Sequence, residues 1–152
     1  MCQARISWGS ILMHDRANEI VYIAKGLVGV PYRHQGRNQN GLDCAGLIIV
    51  IAHMLDLTDK DTMAYSRRPN AAEFTAFMIE AGCTQHPFSA LEHGDIVRLN
   101  TSGWPVHLGV YEIDDRGQEW YTHAFLPHKK VTRDPFTDVV KRNLSSVWRF
   151  PE

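Results

Sequence analysis

Cysteine is scarce in this chain, with three in 152 residues, Cys2, Cys44 and Cys83, and no CxxC spacing. That count excludes a disulfide framework and a cysteine-rich zinc site, and fits a reduced, cytosolic origin. Long apolar runs are missing too: no stretch approaches the roughly 18 residues that span a bilayer. The opening MCQARISWGSILMHDRANE meets Arg5, His14, Asp15 and Arg16 before an adequate hydrophobic stretch builds up. No secretory signal is expected there, and Cys2 lacks the apolar segment that precedes a lipoprotein cysteine. A charge excess is also absent: 16 basic against 17 acidic residues leave a net charge of −1, which argues against a broad nucleic-acid-binding surface. Neither membrane insertion nor a nucleic-acid partner is expected.

Familiar catalytic signatures are lacking as well. There is no GxSxG elbow, HExxH pair, Gly-rich phosphate loop or EF-hand pattern. The eight histidines are scattered, with no pair at helical ligand spacing, so a zinc site would need distant residues brought together. No metal or cofactor is expected.

What is present is an ordinary globular balance, 44% apolar and 22% charged, in a length that suits one domain spanning residues 1–152. Ile20, Val21, Ile23, Ala24 and Leu27 recur at helical spacing, predicting a helix over about 14–27. A second helix should start after Asp43 as N-cap and run to about Leu55; it is apolar on most sides and therefore central. Asn70 with Glu73 resembles a capping box for a third helix, with Ala71, Phe74, Phe77, Met78 and Ala81 as its buried stripe and Gly82 as its stop. After Gly94 the period changes to two. Strands are predicted at 96–99, 106–113, 120–125, 130–133 and 146–150, with a turn at Thr101-Ser102-Gly103 and a short helix over Asp134 to Arg142. Helices first and antiparallel strands later make an α+β layout.

The chemistry concentrates in PYRHQGRNQNGLDCAGLIIV, residues 31–50, where a polar loop meets an apolar helix at Asp43-Cys44. A thiol in the first turn of a helix faces backbone N–H groups and the positive end of the dipole, which lowers its pKa and supplies donors for an oxyanion. Asp43 beside it works the other way. A base can be sought by strand geometry. His107, Gly109 and Tyr111 share one face of their strand, and a hairpin through Asp114 to Gly117 returns the chain along it. A symmetric turn centred on Asp115 pairs residues summing to 230 and sets His107 opposite His123. A G1-bulge turn with left-handed Gly117 sums to 232 and makes the pair diagonal. Both registers keep the two imidazoles on one face, within reach of each other. Taken singly, a cysteine at a helix start more often packs than reacts, and a strand histidine is more often structural. The combination is the geometry of a thiol nucleophile, a base and a group that orients the base.

These segments resemble the NlpC/p60 family of cell-wall cysteine peptidases. VGVPYRHQGRNQNGLDCAGLI is similar to its nucleophile segment, LEHGDIVRLN to its Gly-Asp strand, WPVHLGVYE to its histidine strand and WYTHAF to the strand of its third polar residue. The resemblance implies a papain-like fold, with N-terminal helices packed on a central antiparallel β-sheet. It implies hydrolysis of an amide in peptidoglycan stem peptides, between D-glutamate and the following diamino acid. Carried over, Cys44 matches the nucleophile, His107 the general base and His123 its orienting residue. Tyr32 matches the tyrosine beside the nucleophile, and Asp43 an acidic residue implicated in binding the peptide's free amine. Ala45 replaces the usual serine and Gln35 a usual first glycine. The PYRHQG form resembles the stand-alone versions associated with phage tails, which implies tail proteins as partners and a protein made in the bacterial cytoplasm and carried by a virion. The competing readings are a thiol amidase or acyltransferase on a non-wall substrate, and a structural tail-assembly protein with a vestigial triad.

Overall fold

The computed structural model of the protein describes residues 8–67, 69–101 and 104–152. Cys2 and the Ser102-Gly103 turn lie outside the described residues. Four helices and eight strands follow in the order α1 (Trp8–Gly26), β1 (Arg37–Asn38), β2 (Gly41–Leu42), α2 (Cys44–Met54), α3 (Ala71–Glu80), β3 (Thr84–His86), β4 (Ile96–Thr101), β5 (Trp104–Ile113), β6 (Glu119–Phe125), β7 (Lys130–Pro135), α4 (Asp138–Arg142) and β8 (Leu144–Arg149). Six strands form one antiparallel sheet in the order β3-β8-β4-β5-β6-β7, and β1-β2 is a separate small hairpin. No described helix is long and apolar enough to cross a membrane.

Local chemistry explains α2 and α3. Asp43 caps α2, its Oδ1 accepting from the Gly46 N–H at 2.7 Å. The capping box of α3 forms in both directions: Glu73 N–H donates to Asn70 Oδ1 (2.8 Å) and Asn70 N–H to Glu73 Oε2 (3.2 Å). That helix ends on Gly82 at φ +84°, with Cys83 N–H bonded to Met78 O and Gly82 N–H to Ile79 O. This is a Schellman ending, which needs a residue without a Cβ at its left-handed position. Phe74, Phe77, Met78 and Ala81 are buried as expected, but Ala71 is exposed, because the buried stripe begins a turn later at Phe74.

The sheet is covered on both faces. Val106, Leu108 and Val110 of β5 pack with Ala124 and Val131 against α1, α2 and α3. Val97, Leu99, Tyr111, Tyr121 and Phe136 form a smaller cluster on the opposite face, with Val140 of α4 against it. Burying each such aliphatic or aromatic side chain stabilises the fold by about 1.5–3 kcal/mol.

Three strand readings needed correction. Asp134 lies within β7, not at the start of a helix; α4 starts only at Asp138, capped by the Thr137 hydroxyl. Its place is fixed by six consecutive pairs with β6, including His123↔Thr132 and Tyr121↔Asp134. Strand β3, not predicted, is held by three pairs to β8 and by no local alternation. The hairpin β1-β2, also not predicted, closes locally through the pairs Asn38↔Gly41 and Arg37↔Leu42. Between β5 and β6 the 232 register is adopted, with Tyr111↔Tyr121 paired and Gly117 at φ +77°.

Residues 29–33 seat the start of α2. Gly29 N–H and Val131 N–H bond reciprocally along the edge of β7, through Val131 O and Val30 O, and Tyr32 N–H reaches Lys129 O. On the other side Leu42 N–H bonds Pro31 O and Arg33 N–H bonds Leu42 O. The loop then packs directly on the first turn of α2: a Cβ on Gly46 would stand 2.0 Å from Gly36 O, so only glycine admits this approach.

Candidate active site

Cys44 is the first residue of α2 and one wall of a cavity of about 300 Å³. The opposite walls come from segment 62–67, from α3 and from the ends of β5 and β6, including His107 and Leu108. The pairing of β5 with β6 runs from Ile113↔Glu119 to Val110↔Thr122 and stops there. Beyond that point Leu108 shares the cavity wall with Cys44, and the backbone N–H groups of Leu108, Ala45 and Cys44 favour the charged form of the thiol. The expected helix N-terminus is therefore real, with N–H donors converging where charge would develop on sulfur or on an attacked carbonyl.

His107 and His123 meet as their strand faces predict. His107 Nε2 lies 2.6 Å from His123 Nδ1, and the two are 5% and 2% exposed. This engages Nε2 of His107 and leaves Nδ1 as its available nitrogen. Tyr121 stacks on His123 with ring centroids 4.1 Å apart, and Phe125 packs on both imidazoles. The row continues beyond them: His123 Nε2 lies 2.7 Å from Asp134 Oδ2, and the Thr132 hydroxyl donates to the same oxygen at 2.8 Å. Asp134 was missed because β7 was ended at Arg133; Thr132 lay inside the predicted strand but was not singled out as a partner of His123. Alternation carried one residue further would have set Asp134, with Thr132, on the face of His123.

Asp43 is 2% exposed and saturated. Its Oδ1 accepts from Gly46 N–H (2.7 Å) and Arg37 Nη1 (3.2 Å), and its Oδ2 from Gln35 N–H (2.7 Å) and the Tyr65 hydroxyl (2.7 Å). Arg37 extends the network to Asp61, Thr62 O and the Tyr65 hydroxyl. Gln35 Nε2 holds Met63 O and Tyr65 O. Together they strap segment 61–65 over the start of α2. Neither Arg37 nor Tyr65 was singled out in the sequence, since 28 residues separate them and no local pattern links them. Gln35 sits at φ +59°, which explains why glycine would be at home there.

The electrostatics correct one expectation. Burial pushes the Cys44 thiol up to about 12, the Asp43 charge adds to this, and the N–H donors of Leu108, Ala45 and Cys44 only partly offset it. Burial, and then the neighbouring His123, pull His107 down to about 3. Desolvation thus outweighs the helix N-terminus. At neutral pH the resting pair is thiol and neutral imidazole, so the thiolate must form as its proton leaves. Tyr32, beside Cys44 in the cavity wall, is held protonated by burial and by the charges of Cys44 and Asp43, and so stays a hydrogen-bond donor. Asp95 is not part of this site. Its carboxylate accepts from Glu92 N–H and from a two-pronged Arg149, fixing the turn before β4. Among the described residues, no group of three or more His, Cys, Asp or Glu is placed to hold a metal ion.

A thiol at a helix N-terminus and two linked imidazoles on interior strands of an antiparallel sheet make a candidate cysteine-hydrolase-like site on an α+β domain. Residues 29–149 match the NlpC/P60 family, and the chain belongs to that family. Its fold is similar to the NlpC/p60 domain of the peptidoglycan hydrolase SagA (TM-score 0.57, 21% identity, 86% of this chain and 96% of that one). It is also similar to the P60 domain of an M. avium paratuberculosis antigen (0.62, 11%, 96% and 100%). An NlpC/P60 protein from Bacillus cereus gives 0.62 at 18% identity, with 90% of this chain but 40% of that chain covered. The chain thus spans the isolated domains nearly whole and less than half of the longer relative.

Proposed function

We propose that this chain is a cysteine peptidase that hydrolyses an amide bond in peptidoglycan stem peptides, at the link from D-glutamate to the diamino acid. The observation that carries the reading is the cavity in which Cys44, on the N-terminus of α2, faces the strand bearing His107, itself hydrogen-bonded to His123. His107 Nδ1 takes the thiol proton as sulfur attacks the carbonyl. The oxyanion is met by backbone N–H groups at the start of α2 and by the Tyr32 hydroxyl. Collapse breaks the C–N bond, and His107 returns the proton to the departing amine. Water, deprotonated by the same nitrogen, then cleaves the thioester. His123 holds the His107 ring throughout.

Asp43 supports this reading as the anchor of the rim. A substrate ammonium would bind it by displacing one of its four donors, Tyr65 being the one at the cavity. A phage-tail setting, with tail proteins as partners and delivery by a virion, rests on the PYRHQG form of the loop alone. Digestion of defined muropeptides, followed by mass spectrometry, tests the reaction. New amine and carboxyl ends at the D-glutamyl bond are expected, and undiminished cleavage by Cys44→Ala would overturn it.

A second reading has its own observation. Phe74, Phe77, Phe125 and Leu126 make one side of the cavity apolar, which suits a thiol amidase or acyltransferase acting on a more hydrophobic acyl donor. Trapping covalent adducts on Cys44 with a panel of acyl esters and peptides separates the two.

A further inference from the structure

The polar row does not end at the second histidine, and its last member dictates where every proton in it sits. Asp134 Oδ2 lies 2.7 Å from His123 Nε2 and accepts from the Thr132 hydroxyl at 2.8 Å. The Thr132 oxygen, its proton spent on Asp134, lies 3.3 Å from the same His123 nitrogen. Although partial burial works the other way, hydrogen bonds from His123 and Thr132 hold Asp134 below the usual carboxylate range. An ionised carboxylate has no proton to give.

We propose that Asp134 is a positioning residue that fixes the tautomers of both histidines and so leaves the catalytic nitrogen of His107 unprotonated; this rests on the reading of Cys44 and His107 above. The reasoning is donor counting. Because Asp134 can only accept, His123 Nε2 must carry the proton. Neutral His123 then presents a bare Nδ1, 2.6 Å from His107 Nε2, so that nitrogen must in turn be the donor. Neutral His107 is left with its lone pair on Nδ1, the nitrogen required to accept a proton from the thiol. Reversing the first bond reverses all the others: a proton on His123 Nδ1 forces one onto His107 Nδ1, and the base is blocked. When His107 takes the thiol proton, the added positive charge is delocalised toward Asp134 without any proton leaving the row.

The surroundings make this a single chain of bonds. Tyr121 stacks on one face of His123, Phe125 is tilted against it, and His123 is 2% exposed, so water has little access to its nitrogens. His128 is the other titratable group nearby. Its Nδ1 lies 3.4 Å from Thr132 Oγ1 and 3.9 Å from Asp134 Oδ2, at the solvent edge, where it can neighbour the carboxylate but not replace it.

Long-range proton–nitrogen correlation spectra of the ¹⁵N-labelled full chain at neutral pH read the tautomers directly and need no substrate. His107 and His123 are both expected to be protonated on Nε2. In Asp134→Ala, His123 should shift to a mixture or to the Nδ1–H form, with muropeptide turnover falling about 10- to 100-fold, part of what a correctly protonated base supplies. Asp134→Glu should restore the Nε2–H form and part of the rate. Thr132→Val should show a weaker version of the same change and serves if Asp134→Ala does not fold. A wild-type His123 protonated on Nδ1 overturns the proposal. So does an Asp134→Ala protein with native tautomers, whatever its activity, or one with altered tautomers and undiminished turnover. Absence of turnover in the wild type with the expected tautomers would instead count against the peptidoglycan reading.

Discussion

Cys44 and Cys83 are a useful pair to set side by side. Burial pushes both thiols up to about 12, so acidity alone does not distinguish them. Cys83 follows the glycine stop of α3 and is enclosed with Met78 and Phe150 in the core. Cys44 starts a helix and lines a cavity shared with His107, and the backbone N–H groups of Leu108, Ala45 and Cys44 favour its charged form. Cys44 therefore differs from Cys83 in what it faces, an imidazole-bearing strand and a helix N-terminus, and not in its acidity. The same contrast separates Asp95, which closes the turn before β4, from Asp43, which caps α2 one residue from Cys44.

The largest break in that comparison should come from the thiols themselves. Cys44→Ala is expected to abolish muropeptide cleavage with little loss of stability, while Cys83→Ser keeps activity and lowers stability by about 1–3 kcal/mol through a buried hydroxyl without a designed partner, read from urea midpoints. Next, His107→Ala should cost about 10²–10⁴-fold in kcat/KM as the general base is lost. Tyr32→Phe should cost less, on the order of 10²-fold in kcat, if its hydroxyl meets the oxyanion.

A pH series sharpens the point about resting charge. His107 is depressed to about 3, so the folded state resists a proton that the unfolded chain accepts below about 6.5. Stability contributed by this group is thus complete above pH 6.5 and is lost as pH falls toward 3, a few kcal/mol in all. His107→Ala should flatten the slope of the urea midpoint between pH 7 and pH 4. The raised thiols act at the other end: their contribution is complete below about 9 and is lost as pH rises toward 12, so neither cysteine should react rapidly with iodoacetamide at pH 7. The smallest effect belongs to Gln35→Gly. Relief at φ +59° is worth about 1 kcal/mol, and the lost bonds to Met63 O and Tyr65 O offset it, so stability should barely move while KM rises as segment 61–65 loosens.

Much of the site was readable before any tertiary contact was known. Asp43 as N-cap, the capping box of Asn70 and Glu73, and the shared face of His107 and His123 all follow from local periodicity and side-chain chemistry. What escaped was of two kinds. Strand β3 and the Arg37 network exist through partners remote in sequence, and nothing local announces them; the short β1-β2 hairpin, which closes locally through Asn38↔Gly41, was also not predicted. Asp134 escaped because Pro135 and the helix-like DPFTDVVKR that follows masked the end of an edge strand, whose length is decided by pairing with β6.

The sequence by itself determined where the helices begin, which residues alternate onto which face, and that a thiol would stand at a loop-to-helix junction, because caps, turns and periods of 3.6 and 2.0 are local properties of the chain. Only the tertiary structure decided the charge states at that junction. Burial, the end of the β5-β6 pairing at Val110↔Thr122, and the approach of Asp134 to His123 set whether sulfur and imidazole rest neutral or charged, since desolvation and hydrogen-bond direction depend on what else is packed against them.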